Sequence, residues 1–272
     1  MHLILVKKPC VIIAGGHNMK RGGGERALVS VEAITGLARK YMKLPRLPDE
    51  ITKHPTLTYC SMFIHDGTLM VCGGSLNKHD VYYDDEPWKC FLLDNSTWKH
   101  HSTLKYKRSY SSTVTTSKGT FIFGGNQSSK NYEYLPIGSK KWTRGKKNQL
   151  LGGFVFGCAI EVKSNQEIWL IDDKKILSFD VNSHSSQILP LKLIKERKRF
   201  ACAKIPGTSK IIVTGGYTAI DYESSCEIID TEKQTVTMSS SMNYKRCGHG
   251  MGIIYVRGED RLAVFGGTVG YG

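Results

Sequence analysis

Thr120-Phe121-Ile122-Phe123-Gly124-Gly125 is a short apolar run that closes on a glycine doublet, and five more stretches have the same form. They are Val11-Ile12-Ile13-Ala14-Gly15-Gly16, Leu69-Met70-Val71-Cys72-Gly73-Gly74, Ile168-Trp169-Leu170-Ile171-Asp172-Asp173, Ile211-Ile212-Val213-Thr214-Gly215-Gly216 and Leu262-Ala263-Val264-Phe265-Gly266-Gly267. The doublets begin at 15, 73, 124, 172, 215 and 266, in steps of 58, 51, 48, 43 and 51 residues. Recurrence at about fifty residues marks a repeat architecture.

The unit around Gly124 reads as four short strands. Ser109 to Thr116 alternates and is rich in Ser, Thr and Val, and Ser117-Lys118-Gly119 turns the chain into the apolar run. Tyr132 to Ile137 supplies a third strand, Gly138-Ser139-Lys140 a turn, and Trp142 opens a fourth. Third strands elsewhere include Val29 to Ile34, Cys90 to Leu93, Ile176 to Phe179 and Cys226 to Ile229. The bulky residues that open fourth strands are Tyr41, Trp98, Ile188 and Val236. No stretch of useful length has helical periodicity. The expected fold is all-β, a ring of antiparallel four-stranded sheets, with glycine where the chain leaves a crowded second strand.

The apolar run, the glycine doublet, the spaced aromatic and the Trp-like position resemble the kelch repeat over almost the whole chain. Val31-Glu32-Ala33-Ile34 followed by Lys43-Leu44-Pro45-Arg46-Leu47-Pro48 also looks like the outer half of a kelch blade. The fourth unit departs, with Asp172-Asp173 in place of the glycines. The resemblance implies a single kelch β-propeller domain over 1–272 with about six four-stranded blades. Its units are approximately 1–53, 54–105, 106–149, 150–196, 197–243 and a partial 244–272. Leu3 to Val6 is the expected first strand of the first blade, before a turn at Lys7-Lys8-Pro9. The last blade is expected to be incomplete, with Gly250–Val256 and Arg261–Phe265 but no outer strands, so the sequence reads as a fragment.

Kelch propellers bind partner proteins through loops. The resemblance therefore implies an interaction scaffold, either the substrate-recognising part of a ubiquitin-ligase adaptor or an actin-binding protein. In up-and-down blades the loop after the doublet and the loop between blades share a face. That face is expected to carry His17, Ser75, Asn126, Lys174, Tyr217 and Thr268, with Arg108, Arg199 and Arg246 at the blade entries. Arg108 and Arg199 each precede the doublet glycine by 16 residues, and Arg246 precedes its own by 20. Similar arginines in kelch adaptors capture acidic peptides, and the planar guanidinium suits a carboxylate. An acidic segment of a protein is the expected ligand.

Composition narrows the other classes. The net charge is +14, from 38 Lys+Arg against 24 Asp+Glu, with basic runs at 105–108, 140–147 and 195–199. Such charge draws nucleic acid, membrane surfaces or acidic peptides. No RNA-binding motif accompanies it, so a solvated rim is the expectation. No apolar stretch approaches a membrane span, and the chain reads as cytoplasmic or nuclear. The eight cysteines form no CxxC pair, and most lie in strand-like runs, so reduced buried thiols are expected. Asn95-Ser96-Thr97 and Asn126-Gln127-Ser128 match the glycosylation pattern by chance on that view.

No HExxH, Walker loop or GxSxG is present, and Gly22-Gly23-Gly24 precedes no helix. His79, His184 and His249 carry no ligand spacing, and adjacent strand residues such as His100-His101 point to opposite faces. Copper oxidases that resemble galactose oxidase use the kelch scaffold with Tyr, Cys and His. Tyr217 and Cys226 exist here, but no histidine is seen to join them. No enzyme, cofactor or metal site is expected.

Overall fold

The chain is described by a computed structural model over residues 10–14, 17–19, 25–27, 31–35, 40–45, 60–74, 89–146 and 150–269. The expected strand at Leu3 to Val6, the first doublet Gly15-Gly16, the Gly22 to Gly24 loop, Ser75 and His79 lie outside the described residues. Among the described residues every regular element is a β-strand.

Sheet I contains β1 (Cys10–Ala14), then β4 (Val31–Thr35) and β5 (Lys40–Leu44), with a ribbon of β2 (His17–Met19) and β3 (Glu25–Ala27) between β1 and β4 in the chain. Sheet II is β6 (Ser61–His65), β7 (Thr68–Cys72), β8 (Lys89–Asp94) and β9 (Thr97–Thr103). Sheet III is β10 (Ser112–Thr116), β11 (Gly119–Phe123), β12 (Tyr132–Pro136) and β13 (Thr143–Arg144). Sheet IV is β14 (Cys158–Lys163), β15 (Glu167–Asp172), β16 (Lys175–Asp180) and β17 (Ser186–Lys192). Sheet V is β18 (Ala201–Lys204), β19 (Lys210–Thr214), β20 (Cys226–Asp230) and β21 (Thr235–Ser239). Each of sheets II to V is antiparallel in sequence order. Short β22 (Arg246–Cys247) precedes the hairpin of β23 (Gly250–Val256) and β24 (Glu259–Phe265), and β25 (Thr268–Val269) pairs back onto β22.

The apolar runs are continuous because both of their faces are covered. In β11, Phe121 and Phe123 pack with Ile168, Leu170 and Phe179 of sheet IV. Ile122 points the other way and joins Met70, Cys90 and Trp142 on the sheet II side. In β15, Trp169 and Ile171 pack with Ile211, Val213 and Ile229 of sheet V. The two-residue period thus serves two neighbours at once, and each fully buried side chain stabilises by about 1.5–3 kcal/mol. The first strands sit side by side from sheet to sheet: β6 against β10, β10 against β14, β14 against β18 and β18 against β23, with β1 of sheet I also against β23.

Two details depart from the sequence reading. Register brings Cys72 opposite Cys90 across β7 and β8, and they form a disulfide. A second disulfide, Cys158–Cys202, joins β14 of sheet IV to β18 of sheet V. The first pair, 18 residues apart, meets through strand pairing, and the second, 44 apart, through the packing of one sheet on the next. The fourth doublet is the other departure. Asp172 pairs with Lys175, so Asp173 and Lys174 form a two-residue turn where sheets III and V carry loops of 124–131 and 215–225.

Candidate functional site

The doublets and the segments that enter each sheet lie on one face. Gly125 N donates to Phe154 O at 2.9 Å, Asn126 N to Ser109 O at 2.8 Å, Gly216 N to Arg246 O at 2.9 Å and Tyr217 N to Lys198 O at 2.9 Å. The doublets of sheets III and V are therefore each roofed by their own entry segment and the next one. Gly124 shows why no side chain is tolerated: φ is +57°, and a Cβ would lie 2.0 Å from Phe154 O.

Within this face, Tyr110, Phe156, Arg199 and Gly248 occupy equivalent positions in four successive entries. All four are left-handed, with φ of 57°, 66°, 52° and 62°. Phe156 N donates to Tyr110 O (3.4 Å), Arg199 N to Phe156 O (3.0 Å) and Gly248 N to Arg199 O (2.7 Å), so the backbone steps from sheet to sheet. The side chains gather around one cation. Arg199 Cζ lies 4.8 Å from the ring centres of Tyr110 and Phe156 and 5.8 Å from that of Tyr217, and Nη2 donates to Tyr110 Oη at 3.1 Å. Tyr110 and Phe156 meet edge to face at 4.3 Å. Arg199, Tyr110, Phe156 and Tyr217 are all half-buried, so this cation–π cluster still reaches solvent.

The other entry arginines do different work. Arg108 is fully buried, and its Nη2 pairs with the equally buried Glu133 at 3.0 Å while Nη1 donates to Gly124 O at 2.8 Å. Glu133 also accepts from Lys105 N (2.6 Å) and Tyr106 N (3.1 Å). Burial draws the Arg108 pKa below its usual value, and Glu133 opposes that shift. The same cassette recurs in sheet V, but with Arg197 rather than Arg199. Arg197 Nη2 pairs with Glu227 at 2.7 Å, Nη1 donates to Gly215 O at 2.8 Å, and Glu227 accepts from Ile194 N and Lys195 N. Arg246 Nη1 makes the matching bond to Gly266 O at 2.8 Å.

The sequence alignment of Arg108, Arg199 and Arg246 is thus corrected to Arg108, Arg197 and Arg246, which stand 16, 18 and 20 residues before the glycine they bond. Arg108 has no exposed guanidinium to offer a ligand. The missed signal was the glutamate, since Glu133 and Glu227 both follow the first residue of the third strand. An acid inside an apolar strand needs a buried cation. Glu32 holds the same register in sheet I, opposite Ile13 as Glu133 is opposite Ile122.

Of the remaining candidates, Asn126 and Lys174 are exposed on the face, and Tyr217 bridges Lys198 and Tyr222 in short antiparallel pairings. Thr268 pairs with Cys247, and His17 begins β2 opposite Ala27. Tyr217 is brought against a candidate arginine, Arg199.

Asp172 is buried, its Oδ2 accepting from Val155 N at 2.9 Å and its Oδ1 without a hydrogen-bond partner. Burial pushes its pKa up to about 6, assisted by Asp173 and opposed by the Val155 N–H, Lys175 and Lys198. The carboxylate ties the entry segment of sheet IV to a doublet that has no long loop. His249, buried and bonded to Thr214 Oγ1 at 2.9 Å, is pushed down to about 4 by burial and by Arg246. His100 bonds Thr103 and His101 bonds Ser102. Among the described residues no three His, Cys, Asp or Glu side chains could share a metal ion. No helix among them is long and apolar enough to cross a membrane.

With this geometry the chain superposes on the solved structure of YjhT, with a TM-score of 0.66 over 94% of this chain and 90% of that one. The likeness is one of fold. The two sequences are 11% identical, and activity does not transfer across that distance. No protein-family model matches the chain, and no curated protein does.

Proposed function

We propose that the chain is a kelch-type β-propeller of about six blades, in which sheets I to V and the β23–β24 hairpin close into a ring. It acts as a non-catalytic scaffold that binds an acidic segment of a partner protein on the doublet face. The ring is supported by the side-by-side first strands and by β1 against β23, which brings the two ends of the described chain together. The kelch assignment is supported by the repeated doublets and by the twice-used Arg–Glu cassette.

The observation that carries the binding reading is Arg199. It stands half-exposed, with its guanidinium over the rings of Tyr110, Phe156 and Tyr217. A guanidinium held by aromatic rings keeps its charge and loses little freedom when it meets a carboxylate. In this role the chain would recruit substrate to a ubiquitin-ligase adaptor.

Affinity capture with the immobilised chain, followed by cross-linking mass spectrometry, tests this. Cross-links are expected at Lys174 and Lys198 on the doublet face. Arg199→Glu is expected to weaken capture at least tenfold, with a melting curve on the same variant to separate loss of binding from loss of the cation–π cluster's stability. A partner held equally well by Arg199→Glu would refute the assignment.

A further inference from the structure

The basic runs at 105–108 and 140–147 are far apart in sequence, but the fold brings them to one place. Arg144 Nη2 donates to Lys105 O at 3.1 Å, and its Cζ lies 4.8 Å over the Tyr106 ring. Trp142 Nε1 donates to Ser102 Oγ at 3.1 Å, which pins the segment before β13 against β9. His101 lies within the same field, its pKa lowered by burial first and then by His65, Lys140 and His100.

Lys105, Lys140, Lys141, Arg144 and Lys146 are all exposed. Among the described ion pairs none of the five has a carboxylate partner. The nearby acid, Glu133, is fully buried and neutralised by Arg108. Among the described residues the stripe is therefore positive without a paired carboxylate, and it follows the outer edges of sheets II and III up to the entry segment at Lys105.

We infer that this stripe is a second docking surface, taking an extended acidic segment of a protein along the outer edges of β9 and β13. Three features select that occupant. β9 and β13 each end their sheet's strand order, so backbone donors and acceptors face outward and only a polypeptide can pair with them. Single-stranded nucleic acid needs open aromatic faces. Here Tyr106 is covered by Arg144 and Arg108, and Trp142 and Tyr132 are buried. The seven residues of β9 span about 23 Å at about 3.3 Å per residue, the reach of an extended segment of similar length.

The inference is independent of the doublet-face reading, because neither Arg199 nor its aromatic neighbours take part. The experiment is fluorescence anisotropy with a labelled oligoglutamate of about eight residues at about 0.1 M salt, where charges act over roughly 10 Å. The triple variant Lys105→Glu, Lys140→Glu, Lys146→Glu is expected to lose at least tenfold in affinity. The charge-matched triple Lys163→Glu, Lys210→Glu, Lys233→Glu, on sheets IV and V, is expected to lose less than threefold. Equal losses would mean that net charge alone attracts the peptide, and would overturn the site. Tighter binding of oligouridylate or of phosphatidylserine vesicles than of the peptide would overturn the choice of occupant. A melting curve for each triple keeps loss of fold separate from loss of binding.

Discussion

Replacing Arg197 by Met removes the guanidinium that Glu227, Gly215 O, Ser225 O and Ser225 Oγ share at 2.7–3.1 Å, and leaves a carboxylate with no exposed surface and no counter-charge. Breaking such a pair from one side costs about 3–5 kcal/mol, because the stranded charge cannot be rehydrated. At about 2.1 cal/mol/K per residue, the unfolding entropy of a 272-residue chain is about 0.6 kcal/mol/K, so the melting midpoint should fall by about 5–9 °C. Lys99→Met breaks the Lys99–Asp94 pair at 2.7 Å, whose side chains are 59% and 41% exposed, and should move the midpoint by about 2 °C or less. Calorimetry on both variants and on Arg197→Met/Glu227→Leu completes the comparison. The double variant should recover part of the loss, since neither charge is left alone. A drop for Arg197→Met no larger than that for Lys99→Met would show that the cassette is not a buried ion pair in solution.

Other perturbations probe other parts of the molecule. Gly124→Ala should cost several kcal/mol by thermal melting, against about 1–2 kcal/mol for Gly138→Ala, where φ is +73° but no atom lies within 4 Å of the added methyl. Asp172→Asn should stabilise at pH 7 by up to about 3 kcal/mol, from a folded pKa near 6 against an ordinary carboxylate. The sign follows from the raised value: the wild-type penalty is absent below about pH 4 and complete above about pH 6, so melts across that range should converge at the acid end. Reduction should open Cys158–Cys202, a 44-residue separation worth about 4 kcal/mol in chain entropy, and lower the midpoint. Mass spectrometry after alkylation reports which thiols became free.

Much of the architecture could be read from local patterns. Second strands end where the doublets begin, at Cys72, Phe123, Thr214 and Phe265. The turns at Asp94-Asn95-Ser96-Thr97 and Asp230 to Lys233 fall between third and fourth strands as their composition suggests. Strand period and turn chemistry act over a few residues, so they are visible in sequence. Ser109 to Ser111 was legible only in part. They belong to the entry turn with its left-handed Tyr110, not to β10. The features that escaped are set by register between distant strands. Cys72 meets Cys90, Cys158 meets Cys202, and Arg197 rather than Arg199 meets Glu227, each through tertiary pairing. Counting from the glycines chose the wrong arginine because the β18–β19 hairpin of sheet V, with its turn at 205–209, is two residues longer than the β10–β11 hairpin of sheet III.

The two-residue turn at Asp173-Lys174 has a further consequence. Successive sheets present nearly interchangeable faces, and an elongated ligand could settle on such a surface in several rotational settings with similar energies. A low step between the taller loops of sheets III and V removes that degeneracy. For the acidic segment proposed above, it would mark one place on the face by an omission of chain and not by an added contact.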